Sequence, residues 1–270
     1  MPLQKRSKNS GGNRNASLLL EFVRRELKAR YLGTFSGAAW ALAQPLLQLA
    51  IYGYVFLYIF NARLPEAEFG SIGFLPFLAV GLWPWNAFVE SVNRSATVIH
   101  DSAGLLGKIA LPRALLVVAP VCAGFLLHTV GFIAVLTVLW LGGWLEPRWS
   151  ALAVPALMLV LIVFTLGLAW LFAALTVFVR DIAQALPQVL LLLFFLTPVL
   201  YPRSLVPESL HTLADANPLA LFIGLFRQSL LGIGHYGAIH YALAVGIALL
   251  MAWIGYHVFQ RLAPHFEDFL

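Results

Sequence analysis

Gly232-Ile233-Gly234-His235-Tyr236-Gly237 has the Gly-x-Gly-x-x-Gly spacing that lets a backbone approach a pyrophosphate. That chemistry needs a strand before the glycines and a βαβ unit around them, and neither flank reads as one. The segment is expected to be a turn. The loop that cradles ATP phosphates, Gly-x-x-x-x-Gly-Lys-Ser/Thr, does not occur in the chain, so ATP-driven work would need a partner subunit. The seven histidines are scattered. The closest pair, His235 and His240, has no carboxylate beside it of the kind that builds a zinc helix, so no metal site is expected. Ser36 with His128 raises a Ser-His dyad and an intramembrane hydrolase. Ser36 lacks a Gly-x-Ser setting, however, and Gly33 and Gly37 fit close helix packing better. The chain is read as a non-enzyme.

The elements that hold these residues follow from composition. Of 270 residues, 61% are hydrophobic and 11% charged, against about 25% charged in soluble domains; mean hydropathy is +0.85. Such a chain belongs in a bilayer, and its wealth of aromatic and β-branched residues excludes disorder. The single cysteine, Cys122, lies in an apolar run and is read as filler. Lys5, Arg6, Lys8 and Arg14 are followed by polar residues and more charge, which is not the pattern of a cleaved secretion signal.

A helix needs about 20 apolar residues to cross the hydrocarbon. Runs of that kind lie near 36–60, 72–96, 114–141, 151–179, 182–200 and 238–259, which predicts an all-α polytopic membrane protein with six spans. The apolar run 219–231 is too short to cross and carries Arg227, so it is expected to be re-entrant or interfacial. Residues 1–16 read as a flexible tail and 32–270 as the transmembrane domain. With the N-terminus cytoplasmic, thirteen of the 17 basic residues fall inside: Lys5 to Arg30, Arg94, Lys108, Arg113, Arg180 and Arg261. Arg63, Arg148, Arg203 and Arg227 fall outside. This asymmetry sets both termini in the cytoplasm. A pI near 9.6 then reflects topology and attraction to anionic membrane lipids, with no need of a nucleic-acid partner.

Residues 17–31 place Leu19, Phe22, Val23, Leu27 and Tyr31 at helical spacing with Arg24, Arg25 and Lys28 elsewhere on the helix, which predicts an amphipathic interfacial helix. Between the second and third spans, residues 100–113 carry Asp101, then Leu105, Leu106 and Ile109 on one side, before Pro112. The segment suits docking into another protein; a plain connecting loop is the alternative. Glu90 and Arg94, four apart, can pair on one helix face, either structurally or at a substrate. Arg180 and Asp181 suit the end of one helix and the start of the next.

Several signatures occur in one order across residues 17–260. They are Leu27-Lys28, Arg30-Tyr31, Gly33, Gly37, Trp40 and Gln44-Pro45; Gly81-Leu82-Trp83-Pro84-Trp85; and Leu106-Gly107-Lys108-Ile109-Ala110-Leu111-Pro112-Arg113. Phe178-Val179-Arg180-Asp181, Thr197-Pro198-Val199-Leu200-Tyr201 and Asn217-Pro218 with Arg227 complete them. The series resembles the ABC transporter permeases that export polysaccharides: the O-antigen, capsular polysaccharide and teichoic acid exporters. The resemblance implies a permease translocating a polyprenyl-linked polysaccharide across the bacterial cytoplasmic (inner) membrane, with export of a small lipid or drug as the alternative. It implies a nucleotide-binding ATPase subunit that carries the ATP and Mg, no cofactor in this chain, and a second copy of the chain to complete a channel. Residues 100–111 become the coupling helix, with Asp101, Leu105, Leu106, Lys108 and Ile109 toward the ATPase.

For such a substrate, Arg25, Lys28 and Arg30 are candidate ligands of the lipid diphosphate, because guanidinium groups match phosphate through paired hydrogen bonds. Attraction to anionic lipid is the competing role. The aromatic residues Trp40, Tyr52, Tyr54, Phe56, Tyr58, Phe60, Trp83 and Trp85 suggest a track on which sugar rings stack. Tyr58, Phe60, Trp83 and Trp85 also fit an aromatic belt at the membrane surface. Tyr52 and Phe56, deeper and one turn apart, are the candidate channel residues.

Overall fold

The computed structural model describes residues 10–31, 39–61, 63–65, 69, 72–106 and 112–269, the side chains of 10–14, 31, 105 and 106 excepted. Among the described residues every regular element is helical. Helix α1 spans Ser10–Tyr31 and starts well before Ser17. Helix α2, Trp40–Gly53, runs directly into a π-helical turn, Tyr54–Ile59. Helix α3 is Phe74–Ala96, followed by the short α4, Val98–Asp101, and α5, Ala103–Leu106. Then come α6, Arg113–Leu141; α7, Val154–Phe178; α8, Asp181–Leu196; α9, His211–Asp215; α10, Pro218–Leu231; and α11, Ala238–Leu262.

Among the described residues four stretches are long and apolar enough to cross a membrane: Trp40–Ile59, Arg113–Leu141, Trp149–Phe178 and Ala238–Asp268. The other two expected spans correspond to α3, 23 residues with Glu90 and Arg94 inside it, and to α8, 16 residues. Helix α3 is the centre of the bundle, with α6, α7 and α10 packed around it. Leu78, Ala79, Val80, Ala87, Phe88 and Val92 on it are wholly buried. Trp83 and Trp85, which fit a surface belt by sequence, lie in this core at 1% and 5% exposure. Trp85 packs on Phe88 and Phe194 at 5.8 and 5.4 Å between ring centres. A belt residue needs a helix that faces lipid, and α3 is shielded by its neighbours.

Among the described residues, helices α7 and α11 make the most extensive contact. Small residues set it: a Cβ on Gly255 would collide with the carbonyl oxygen of Gly167, so the two backbones touch where they cross. The corner after α7 follows the expected pattern, with the helix stopping at Phe178 and Asp181 in the first turn of α8. Asn217 caps α10, its side chain accepting from the Leu219 amide at 3.0 Å, with Pro218 in the first turn. The glycine segment is a turn: Gly232 ends α10 at φ 73° and Gly234 sits at φ 98°.

Candidate functional site

Helix α3 turns Asn86, Glu90, Asn93 and Arg94 toward α1 and α2, at the intervals that share one helix face. Glu90 is held from two sides. Arg30 of α1 forms an ion pair with its Oε1, and Nε2 of His128 on α6 lies 2.6 Å from its Oε2. Glu90 is thus not paired with Arg94, as its spacing suggested. Arg94, one turn further along, lies between two carboxylates, 3.3 Å from buried Glu26 of α1 and 3.6 Å from Asp101. The helix-face pair loses because α1 packs across this end of the bundle and offers each charge an opposite charge of its own.

Next along the seam, the Asn86 amide donates to Oε1 of Gln48 on α2 at 3.3 Å. A cavity of about 550 Å³ opens between α1 and α3, lined by Glu26, Arg30, Glu90, Asn93 and Arg94. Its Asn93 Oδ1 is buried without a hydrogen-bond partner among the described residues. Hydrophilic walls in an apolar bundle suit a polar solute or water, because unpaired buried polar atoms are costly.

Of the three candidate phosphate ligands, Arg30 alone turns inward. Arg25 and Lys28 are exposed, with the Arg25 guanidinium 5.3 Å from the Phe22 ring centre. Tyr52 and Phe56 meet edge to face at 6.2 Å, both half-buried, and Phe56 also packs on Phe74 at 5.3 Å. The more open rings on the same helix are Tyr54 and Tyr58, 62% and 79% exposed and stacked at 6.0 Å. Asp101 closes α4 and accepts from the Thr97 hydroxyl at 3.2 Å as well as pairing with Arg94. Leu105 and Leu106 lie in α5, with their side chains outside the described set; Lys108 and Ile109 lie outside the described residues. His128 is engaged by Glu90, and Ser36 lies outside the described residues. Among the described residues no group of His, Cys, Asp and Glu could hold a metal ion.

A second polar centre occupies the opposite end. Arg227 of α10 is buried, and its Nη1 and Nη2 donate to the carbonyls of Pro198 and Val199, each at 2.6 Å. Asn217 donates to Thr197 Oγ1 at 2.7 Å, tying the start of α10 to the same turn. Arg203 and Asp215 form a two-pronged pair at 2.6 and 2.5 Å. The hydrogen bonds from Arg203 hold the Asp215 carboxyl below its ordinary range. Arg203, Asp215 and Arg227 border one cavity of about 380 Å³.

Gln48, Asn86 and Asn93 are uncharged and do not stand out in the sequence, where His128 is only a hydrolase candidate. A usable signal existed: Gln44, Gln48 and Tyr52 recur every four residues along one apolar helix, as do Asn86, Glu90 and Arg94 along another.

Comparison with known proteins gives a consistent picture. The family model described as ABC-2 type transporter matches residues 17–231. The chain is 35% identical over 204 residues to the O-antigen export system permease protein RfbA of Myxococcus xanthus, covering 75% of each protein. It is 27% identical over 255 residues to RfbA of Klebsiella pneumoniae, covering 94% of this chain and 95% of that protein. It is 24% identical over 207 residues to the polysialic acid transport protein KpsM of Escherichia coli, covering 77% and 78%.

Proposed function

The chain belongs to the ABC-2 type transporter family, and from that premise we propose that it is the permease subunit of an exporter of polyprenyl-linked polysaccharide. The observation that carries this reading is the match, over most of the chain, to permeases named for O-antigen export and polysialic acid transport. The chain has no phosphate-binding loop of its own, so ATP and Mg belong to a nucleotide-binding partner, and the chain itself uses no cofactor. Six spans, with α3 and α8 as the second and fifth and α10 re-entrant, set both termini in the cytoplasm of the inner membrane. Helix α1 lies along the cytoplasmic surface. Two copies face each other to enclose a passage wide enough for sugar.

Residues 100–111 dock into the ATPase. Supporting this, Asp101 is joined through Arg94 to Glu26 of α1, so a push on α4 and α5 reaches the helix that holds Arg30. Closure of the ATPase dimer would then shift α1 and α3 together. Arg30, with Arg25 and Lys28 at the surface, receives the lipid diphosphate. Tyr52 and Phe56 continue the passage.

The test is reconstitution in vesicles. Alone, the chain should hydrolyse no ATP; with its nucleotide-binding subunit it should move a labelled lipid-linked glycan and leave drug substrates behind. Lys108→Glu, or a glycine pair inserted beside Leu106, should abolish glycan movement while the chain still reaches the membrane. Drug efflux without glycan movement would overturn the polysaccharide reading, and full export by both variants would overturn the docking assignment.

A further inference from the structure

Three cavities run from the face between α1 and α3 to the outer face of α2, and each shares residues with the next. The first, about 550 Å³, and the second, a neck of about 60 Å³, are both bordered by Arg30 and Glu90. The neck and the third cavity, about 370 Å³, are both bordered by Gln44 and Gln48. The two glutamines therefore stand between the neck and an open space that Tyr52 borders on the far side.

Amides inside an apolar helix are costly unless something meets their hydrogen-bonding capacity. Gln48 spends one acceptor on Asn86, which leaves its own N–H pair unspent. Gln44 is exposed on the helix surface and makes no hydrogen bond among the described residues. Hydrocarbon offers such groups nothing. A solute in the adjoining cavities does, and the cavities flank these two side chains on both sides.

The chemistry narrows that solute. A primary amide presents donors and an acceptor together, and an alcohol hydroxyl is likewise both. Two amides one helical turn apart, about 6 Å along the axis, can address hydroxyls at successive positions of a chain. They carry no charge, so each contact is weak and readily exchanged; a fixed ion pair at this point would hold a polymer still. We propose that Gln44 and Gln48, supported by Asn86, form a hydroxyl-binding subsite that guides sugar rings out of the neck formed by Arg30, Glu90 and His128. The proposal rests on the polysaccharide reading above and adds residues that set how well a neutral glycan passes.

The complete permease with its ATPase subunit is assayed in vesicles with two donors: a polyprenyl diphosphate bearing a long neutral glycan, and the same lipid bearing one sugar. In the double variant Gln44→Leu/Gln48→Leu, the ratio of long-glycan to single-sugar movement should fall about tenfold, the scale of losing two neutral hydrogen bonds. Gln44→Asn/Gln48→Asn, which keeps the amides, should recover part of that ratio. An unchanged ratio in the leucine variant overturns the subsite. So does an equal loss on both donors in both variants, which marks the amides as packing groups. Rapid disulfide formation between Gln44→Cys residues of two copies without substrate also overturns it, since the second copy then fills this face. If the unaltered complex moves neither donor, the polysaccharide reading itself fails, and no variant is needed to see it.

Discussion

Arg227 and Phe77 are joined twice: the guanidinium carbon lies 3.5 Å from the ring centre, and Nε donates to the Phe77 carbonyl at 3.4 Å. With the bonds to Pro198 and Val199, one side chain of α10 holds the turn after α8 and the first turn of α3. A Cβ at Gly81 would come within 2.8 Å of Nη2, so the glycine of Gly81-Leu82-Trp83 makes room for the cation. Arg227→Met should strand carbonyls at about 1–3 kcal/mol each. Arg227→Lys, with its donors on one nitrogen, should be intermediate. Thermal unfolding of the detergent-purified complex would rank them, and an unchanged midpoint for Arg227→Met would refute the clamp.

Arg30 and Glu90 make a separable prediction. Arg30→Gln leaves Glu90 with His128 alone and should lower both the amount of chain in the membrane and export. Adding Glu90→Gln should restore the amount, with a coupling of about 1 kcal/mol given their partial exposure, yet leave export low. Full export by the double variant would assign the pair to structure and remove Arg30 from substrate binding.

Tyr52 and Phe56 should part company when replaced singly by leucine. Tyr52 borders a cavity whereas Phe56 is wedged between Tyr52, Phe60 and Phe74. Tyr52→Leu should reduce long-glycan export at normal stability. Phe56→Leu should cost stability by about 1 kcal/mol. Equal stability losses for the two would end the case for Tyr52 as a channel residue.

The Arg203–Asp215 pair gives a pH dependence. Asp215 titrates lower in the folded chain than in the unfolded one, so its contribution is present at neutral pH and is lost as pH falls through its folded value. Both side chains are half exposed, which limits the effect to about 0.2–1 kcal/mol. Hydrogen exchange across 203–215 should quicken on acidification, and Asp215→Asn should show the faster exchange already at neutral pH.

Apolar runs alone located the long helices, because burial and lipid exposure both reward an unbroken apolar stretch. They could not assign partners. Glu90 and Arg94 share a helix face, and only the arrival of α1, far away in sequence, separates them. Arg227 reads as a lone charge interrupting an apolar run, since its partners are backbone carbonyls that any sequence would supply. Trp83 and Trp85 look like belt residues because composition does not reveal which helix stands in the middle. The π-helical turn after Gly53 has no cue in the residues themselves.

The bare crossing of α7 and α11 at Gly167 and Gly255 also has a mechanical meaning. A seam lined with long side chains can slide by exchanging rotamers, but two backbones in direct contact have none to exchange. Stiffness is therefore concentrated on that side of the bundle, and the pair behaves as a single strut. The compliant seam is the hollow one where α1 and α2 meet α3, and there cavities take the place of packing. A load applied at one end of the molecule would accordingly be dissipated as widening of that seam, with the strut supplying the fixed reference against which it opens.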